Sequence, residues 1–361
     1  MFKDSVKGNL KKILPRSLIN WLQAVRTRID IQVAIVAARA PWRSALYYSL
    51  YSGEFRREMH SVLQARSRYY ESQSGQSPNS FLLRRNIHRL EKGLIMRPRR
   101  DIFGEGYINE TIHYLEVCLN ASCLSETEVS WTQSVLADYF TSVQSSHVIE
   151  RARVAYDAIS ELLASGDRVD KGPFAHSSLV PATVSLEDFK ALCVGRHSVR
   201  WFEPRTVPRG LIDLAIDIAA TAPSACNRQP FKFYVFDDPA RAQEVGAIPM
   251  GTAGFSHNFQ SVIVVVGDLS AYPFEKDRHI IYIDSGLAVM QLQLALETQG
   301  LGSCVINWPD IERHERRMAR ELDLEPYQRP VMLLAVGYPQ KDALVPYSAK
   351  KTAADLIERP K

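Results

Sequence analysis

Hydrophobic and polar positions change their period about halfway along the chain. In the first half, apolar residues recur at three- and four-residue spacing, as Trp21, Leu22, Val25 and Ile29 do, and this spacing predicts amphipathic helices. Pro41 predicts a break or a new helix start, and Gly93 predicts the C-terminal cap of a helix over 81–93. The polar stretch 71–80 predicts a linker, and residues 107–164 predict two or three further helices.

After residue 185, strand-like and helix-like segments alternate. Ser185 and Asp188 form a variant of the capping box and predict a helix that ends near Gly195. Pro208 predicts the start of a helix, whose apolar face we assign to Leu211, Leu214, Ala215, Ile218 and Ala219. Strands are predicted over 231–236, 261–268, 303–308 and 330–339, and an apolar helix over 284–299 that Gly300 ends.

This alternation predicts an α/β or α+β fold preceded by an all-helical region. Residues 164–178 carry Gly, Pro and Ser without periodicity, so we place a domain boundary there. The expected regions are a basic helical segment (1–75), a helical region of unassigned role (80–165) and a C-terminal domain (185–361).

Composition narrows the class of protein. The 361 residues are 46% hydrophobic, which is more than one core usually needs and favours two domains. The basic N-terminus lacks the apolar core of a secretory signal, and no unbroken apolar run reaches bilayer length, so we expect no spanning segment. The five cysteines have neither CxxC nor zinc-finger spacing, which predicts a reduced, cytoplasmic location and no metal site.

The net charge of +4 hides an asymmetry. Residues 1–100 carry 20 Lys and Arg against 6 Asp and Glu, whereas the rest of the chain carries 24 against 34. The basic front, which includes arginines interleaved with aromatic residues, has three interpretations. We rank packing on the acidic half first and peripheral attachment to an anionic membrane surface second. Nucleic-acid binding ranks last, because no recognised motif supports it.

Four short segments of the second half carry polar chemistry. RHSVR (196–200) offers two guanidiniums, an imidazole and a hydroxyl that suit phosphate oxygens, and APSACNRQP (222–230) offers amide groups that could read the edge of a polar ring. GLGSCVINW (300–308) would let backbone approach a flat ligand, and YSAKK (347–351) ends in two ammonium groups. Taken singly, each segment is equally typical of a basic turn, a Pro-rich turn, a helix cap or a surface tail.

Taken in order, these segments resemble the nitroreductase family of flavoproteins. The family pattern places Arg-x-Ser-x-Arg/Lys after the first helix, Ala-Pro-Ser-x-x-Asn-x-Gln-Pro about 25 residues later, and then Asp-x-Gly, Gly-Leu-Gly, Gly-Tyr-Pro and a basic tail. This sequence has RHSVR, APSACNRQP, DSG (284–286), GLG (300–302), GYP (337–339) and AKK (349–351) in that order. The resemblance covers residues 185–361 and implies a nitroreductase-like α+β fold, with a central mixed or antiparallel sheet flanked by helices.

The resemblance also implies an FMN site. Residues that would hold the phosphate, ribityl chain and pyrimidine edge are Arg196, His197, Ser198 and Arg200. Residues that would lie against the flavin, contributed by the other subunit, are Pro223, Ser224, Asn227 and Gln229. Backbone near the isoalloxazine would come from Val305, Ile306 and Asn307, and the phosphate would also meet Lys350 and, with less support, Lys351. A shared site of this kind implies a homodimer.

We therefore expect an FMN-dependent oxidoreductase that transfers electrons by a ping-pong cycle from NADH or NADPH to a small organic acceptor. Two alternatives stay open: a flavin-dependent biosynthetic oxidase that uses oxygen, and a non-catalytic scaffold whose role lies in the basic N-terminal half. Some family members have a carboxylate where Asn307 falls, and no acid replaces it nearby, so no catalytic proton donor is assigned. His257 and His279 are interpreted as structural or surface residues. His88, Glu91 and Lys92 share a helix face, which we interpret as a surface salt-bridge pair rather than a substrate lid.

Overall fold

The computed structural model describes residues 15–160 and 171–360. The chain divides into two compact units, Met1–His60 and Ser61–Lys361. The predicted boundary at 164–178 lies partly outside the described residues, and the three predicted regions stay a prediction.

The N-terminal unit is helical, as its apolar spacing predicted. Its elements are α1 (Arg16–Ala37), α2 (Pro41–Leu46), which begins at the predicted Pro41, and a π-helical turn (Tyr47–Tyr51). Helix α3 (Arg56–Gln73) then leads into the second unit and runs slightly into the predicted linker. Large apolar side chains of this unit stay exposed, with Trp21 at 60% and Trp42 at 62%.

Four helices form the first part of the second unit. They are α4 (Phe81–Leu94), α5 (Ile108–Asn120), α6 (Glu126–Ser142) and α7 (His147–Ser160). Their apolar faces meet in one core that includes Leu83, Leu115 and Tyr139. The region over 107–164 therefore contains three helices up to residue 160.

The prediction that Gly93 caps helix α4 is wrong. The helix continues through Leu94, with Ile95 at the C-cap position. A Cβ on Gly93 would overlap Cε2 and Cδ2 of the Phe103 ring, far inside van der Waals contact. Gly93 is small because Phe103 packs against the helix backbone, not because the helix must end there.

A four-stranded antiparallel sheet forms the second part of this unit. The strands are β1 (Phe231–Phe236), β2 (Ser261–Asp268), β3 (Gly302–Asn307) and β4 (Gln328–Gly337), in the order β1-β2-β4-β3. The helices around it are α8 (Leu186–Gly195), α9 (Arg209–Ala219), α10 (Pro239–Gly246), α11 (Ile280–Thr298), α12 (Glu312–Leu322) and the short α13 (Ala353–Leu356). The fold class is α+β, as predicted.

Both faces of the sheet are covered, which explains the unbroken apolar run of β2. Ile263 and Val265 join the core under α9 and α11, whereas Val262 and Val264 join the core on the opposite face, under α10 and α12. A strand that is covered on both faces is apolar at consecutive positions, as β2 is over 262–266. The edge strands β1 and β3 are more exposed.

Helix α9 is oriented differently from the prediction. Ile212, Ala215 and Ala219 are its buried residues, but Leu214 is 54% exposed and Ile218 is 42% exposed. The helix is apolar over more than the one face that its neighbours α11 and the sheet can cover. The second apolar stripe remains on the surface of this chain.

Helix α11 is the long apolar helix of the domain, and it starts four residues before the predicted Asp284. Residues 275–298 are the one described segment that is long and apolar enough to cross a bilayer, with half of its window buried in the protein. Val289, Leu292 and Leu296 pack in the same core as strand β2, so this helix is a core element of the domain. Gly300, with φ of 72°, follows its C-terminus as predicted.

Candidate active site

The RHSVR segment is laid along the outer edge of strand β3. Helix α8 begins at the predicted Ser185 cap, whose hydroxyl accepts the Asp188 N–H at 3.0 Å, and ends at Gly195. The chain then runs parallel to β3, where Ser198 bridges Ser303 and the Val199 N–H donates to the Ser303 carbonyl at 3.0 Å. The motif is therefore fixed in register on a sheet edge.

Gly302 makes this close approach possible. A Cβ on Gly302 would lie 2.7 Å from Cγ2 of Val199 and 2.9 Å from Cγ of Pro339. No side chain fits between the motif and strand β3 at this position. The Gly-Leu-Gly segment thus combines the helix end at Gly300 with a packing requirement at Gly302.

Asn258, which sequence reasoning missed, holds the far end of the motif. Its Oδ1 accepts the Phe202 N–H at 2.9 Å, and its Nδ2 donates to the Arg200 carbonyl at 3.0 Å. The side-chain amide thus pairs with the backbone as a neighbouring strand would. Only the fold brings residue 258 to residues 200–202, so no local sequence signal could have found it.

Two guanidiniums of the motif converge near the start of β3. Burial raises the pKa of the Cys304 thiol, and the charges of Arg200 and Arg196 oppose that rise. Both arginines are half-buried, and within residues 15–160 and 171–360 neither forms an ion pair. The edge of β3 therefore carries positive charge that no carboxylate of the described chain neutralises by direct contact.

Glu297 is an acid near this charge that sequence reasoning also missed. Burial raises the pKa of Glu297, and the charges of Arg196 and His197 oppose the rise. Glu297 lies at the C-terminal end of helix α11, which ends at Thr298. Glu297 lies about 100 residues after the motif in the sequence, whereas neighbours on a helix are three or four residues apart. The sequence therefore gives no sign that the two are close.

His197 and Ser303 present further polar groups at this edge. Nδ1 of His197 lies 2.7 Å from the Gly195 carbonyl oxygen. Since a carbonyl only accepts, Nδ1 carries the proton and Nε2 is left as an acceptor in the neutral ring. The Ser303 hydroxyl is buried and lacks a hydrogen-bond partner among the described residues.

The APSACNRQP segment forms a tight turn between α9 and β1. Three non-glycine residues adopt left-handed backbone angles, with φ of 53° at Cys226, 51° at Asn227 and 50° at Gln229. Ser224 stabilises the turn, because its carbonyl accepts the Asn227 N–H at 2.9 Å and its hydroxyl accepts the Gln229 N–H at 3.0 Å. Such backbone strain persists only where the surroundings impose it, and it clusters at functional sites.

Asp284 of the DSG segment supports this turn from helix α11. The Ala225 N–H donates to Oδ2 of Asp284 at 3.0 Å, and the Tyr272 hydroxyl lies 3.4 Å from the same oxygen. Burial raises the pKa of Asp284, and these two hydrogen bonds and the charge of Arg228 oppose the rise. The sequence motif marked this residue, but its role as a support for the turn is visible only in the structure.

Arg84 of helix α4 supports the same turn from the other side. Its Nε donates to the Asn227 carbonyl at 2.7 Å, and its Nη2 donates to Oε1 of Gln229 at 2.7 Å. The Gln229 side chain is fixed further by donation from Nε2 to the Ala220 carbonyl at 2.6 Å. The helical region thus reaches the segment that the family resemblance assigns to the flavin.

The remaining predicted site residues lie on β3 and near the C-terminus. Val305 (37% exposed) and Asn307 are on the exposed side of β3, whereas Ile306 is buried on the opposite side. Lys350 and Lys351 are exposed on a segment without regular structure between β4 and α13. The two histidines interpreted as structural or surface residues, His257 and His279, are also exposed, and the His257 ring contacts Trp201.

The two principal motifs lie far apart within one chain. The turn over 222–230 contacts Asp284, and Arg196 and His197 act on Glu297, which follows 13 residues later on the same helix. At the helical rise of 1.5 Å per residue, these two points are about 20 Å apart. The motifs also flank opposite edge strands, β1 and β3, of the four-stranded sheet.

Comparison with known proteins places this domain in a class. The family model described as the nitroreductase family matches residues 193–253 and 248–338. The Bacillus subtilis protein YdgI, named as a candidate NAD(P)H nitroreductase, is 27% identical over an alignment of 210 residues that covers 48% of this chain and 98% of that protein. Iodotyrosine deiodinase 1 of Pongo abelii is 24% identical over 233 residues, covering 56% of this chain and 80% of that protein.

Among solved structures, a nitroreductase family protein from Streptococcus pneumoniae is 24% identical, with a TM-score of 0.42, and covers 48% of this chain and all of that one. The family match confirms the resemblance that the motif order indicated. The C-terminal half of the chain is an oxidoreductase domain of the nitroreductase family. The matched family segment begins at residue 193, so the helices before residue 160 lie outside it.

Proposed function

We propose that the protein is an FMN-dependent oxidoreductase that takes electrons from NADH or NADPH and passes them to a small organic acceptor in a ping-pong cycle. The observation that carries this proposal is the pair of guanidiniums, Arg196 and Arg200, on a segment that bridges the edge of β3, where neither forms an ion pair with a described carboxylate. Two guanidiniums held in register on a sheet edge suit the phosphate of a mononucleotide.

The described residues fit FMN at this edge. Arg196 and Arg200 would hold the phosphate and the polar edge of the ring, His197 and Ser198 would bond the ribityl chain, and the backbone of 305–307 would face the isoalloxazine. The buried Ser303 hydroxyl without a partner adds a polar group beside the motif. Bound FMN would supply the redox chemistry, and the protein would position and tune it. Lys350 and Lys351 are proposed as further phosphate contacts.

We further propose that the site is shared across a homodimer. The two motifs approach helix α11 at Asp284 and at Glu297, which the helical rise places about 20 Å apart, so a single chain does not bring both motifs to one flavin ring. A second copy would bring its Pro223, Ser224, Asn227 and Gln229 to the motif of the first. Apolar side chains at Ile283, Leu287 and Met290 of helix α11 are exposed along one stripe, which a partner subunit would cover.

The first test is an absorbance spectrum of the purified protein with added FMN, before and after anaerobic addition of NADPH or NADH. A flavin band that bleaches with either nicotinamide supports the reductase. A bound flavin that stays oxidised favours the oxidase alternative, in which the substrate reduces the flavin and oxygen reoxidises it. Failure to bind FMN overturns the proposal and favours the scaffold alternative.

Substitution of Arg196 tests the placement of the phosphate. Arg196→Ala should weaken FMN binding about 10- to 150-fold, since a charge-assisted hydrogen bond contributes about 1.5–3 kcal/mol. Arg209→Ala is the matched control, because that exposed arginine pairs with Asp237 away from the motif. Fluorescence titration with FMN measures both, and equal affinities would place the phosphate elsewhere.

A further inference from the structure

Arg84 connects the helical part of the second unit to the turn over 222–230, and all three nitrogens of its guanidinium take part in hydrogen bonds. Besides its bonds to Asn227 and Gln229, its Nη1 lies 2.9 Å from Oε1 of Glu128. The side chain is 13% exposed, and its guanidinium carbon lies 5.5 Å from the centre of the Trp131 ring. Each of the three nitrogens therefore has an acceptor, and the side chain has one defined orientation.

Glu128 is itself fixed and charged. It belongs to the capping box of helix α6, in which it accepts the Ser125 N–H at 2.9 Å. Burial alone would raise the pKa of Glu128, but the hydrogen bonds from Ser125 and Arg84 lower it below its ordinary value. A charged acid on the start of one helix thus orients an arginine on another, and that arginine faces the turn.

The two acceptors on the turn show which part of it Arg84 holds. Arg84 donates to the backbone carbonyl of Asn227 and to the side-chain oxygen of Gln229, and both residues have left-handed backbone angles. The side-chain amide of Asn227 forms no hydrogen bond within the described chain and stays available to a ligand. The contact therefore fixes the shape of the turn and occupies the side-chain oxygen of Gln229, while it leaves the side-chain amide of Asn227 open.

We propose that Arg84 is a positioning residue of the flavin site. It holds the strained turn at Asn227 and Gln229 in the shape that receives the isoalloxazine, so that helices α4 and α6 are part of the site although they lie outside the matched family segment. This inference rests on the proposed function for its ligand. The simpler alternative is that Arg84 only fastens the helical block to the sheet domain.

Three variants of the full-length chain separate these possibilities. Arg84→Met with Glu128→Gln removes both charges of the pair, so that no buried charge is left alone. Arg84→Lys keeps the positive charge but cannot reach two acceptors and Glu128 with one ammonium group. Arg85→Met is the control, because the Arg85 guanidinium bonds to Asn86 on its own helix rather than to the turn.

The first readout needs no flavin. Hydrogen exchange of the backbone amides of residues 227–229, which are bonded within the turn, should become at least about tenfold faster in the double variant and in Arg84→Lys. Amides of strand β2 should exchange as in the wild type. Unchanged exchange at 227–229 overturns the proposal. Faster exchange throughout the domain also overturns the proposal, because it shows that Arg84 only fastens the helical block to the sheet domain.

The second readout is the FMN dissociation constant and the flavin absorption maximum. We expect binding at least about tenfold weaker in the double variant, partial recovery in Arg84→Lys, and wild-type binding in Arg85→Met. Wild-type binding in the double variant overturns the role of Arg84 while the proposed function stands. If the wild type binds no FMN, the proposed function fails and the exchange experiment alone decides whether Arg84 positions the turn.

Discussion

Replacement of Gly302 by alanine tests the close packing of the RHSVR motif on strand β3. The new Cβ would lie 2.7 Å from Cγ2 of Val199, 2.9 Å from Cβ of Val199 and 2.9 Å from Cγ of Pro339. Favourable carbon–carbon contacts lie at about 3.5–4.0 Å, so each contact is too short by roughly 1 Å. The overlap involves a valine Cβ and a proline ring, which cannot rotate away. The motif must therefore move off the strand.

Overpacking of this kind costs about 1–3 kcal/mol, and loss of the bond from the Val199 N–H to the Ser303 carbonyl adds about 1 kcal/mol. We expect Gly302→Ala to lower the free energy of unfolding in urea by about 2–4 kcal/mol on these grounds. FMN binding should weaken further, because Arg196 and Arg200 move with the backbone.

Gly210→Ala in helix α9 is the control, since a Cβ there meets nothing within 4 Å. That variant should be as stable as the wild type or slightly more stable, by up to about 1 kcal/mol. A Gly302→Ala protein with wild-type stability and wild-type FMN affinity would refute the close packing of Val199 on β3 and the argument built on it.

Three further predictions concern Gly93, Asp284 and the exposed tryptophans of the N-terminal unit. Gly93→Ala should destabilise the protein by about 1–3 kcal/mol in urea despite the better helix propensity of alanine, because its Cβ would meet Phe103; Phe103→Ala in the same chain should recover part of the loss. Burial raises the pKa of Asp284 above 3.8, so its contribution to stability is complete below that pH and is lost as the pH rises through the folded-state value. Thermal unfolding of Asp284→Asn should therefore depend less on pH across this window than that of the wild type, and parallel profiles would contradict the assignment. If the N-terminal unit attaches to anionic lipid, full-length protein with Trp21→Ser and Trp42→Ser should sediment less with anionic vesicles than the wild type; equal recovery would exclude a role of these exposed rings.

Segments with strong periodicity could be predicted from the sequence. Strand β2 is predictable because the β-branched and small residues between Ser261 and Asp268 suit burial on both faces. Helix α12 is not, although it spans 11 residues, because Met318 and Glu315 are its only buried residues and the rest is mostly charged. A helix that contributes only Met318 and the partly buried Leu322 to a core leaves no apolar period to detect.

The residues of the candidate site also fall into two groups, those that the sequence reveals and those that only the structure reveals. Residues in short motifs, such as Arg196 and Asn227, could be singled out because their spacing in the chain is itself the signal. Arg84, Asn258 and Glu297 could not, because each acts on a motif that is distant in the chain and belongs locally to an ordinary helix or turn. Their roles arise from tertiary contacts alone.

The left-handed turn over 226–229 has a consequence for how this protein tolerates change. Glycine adopts such angles freely and asparagine adopts them readily, whereas β-branched residues are nearly excluded. A saturation library at Asn227 would therefore separate effects on folding from effects on ligand binding. Glycine would keep a folded chain while losing the amide, and valine or isoleucine would lose both. Position 227 thus offers a natural place to separate selection for folding from selection for chemistry in one experiment.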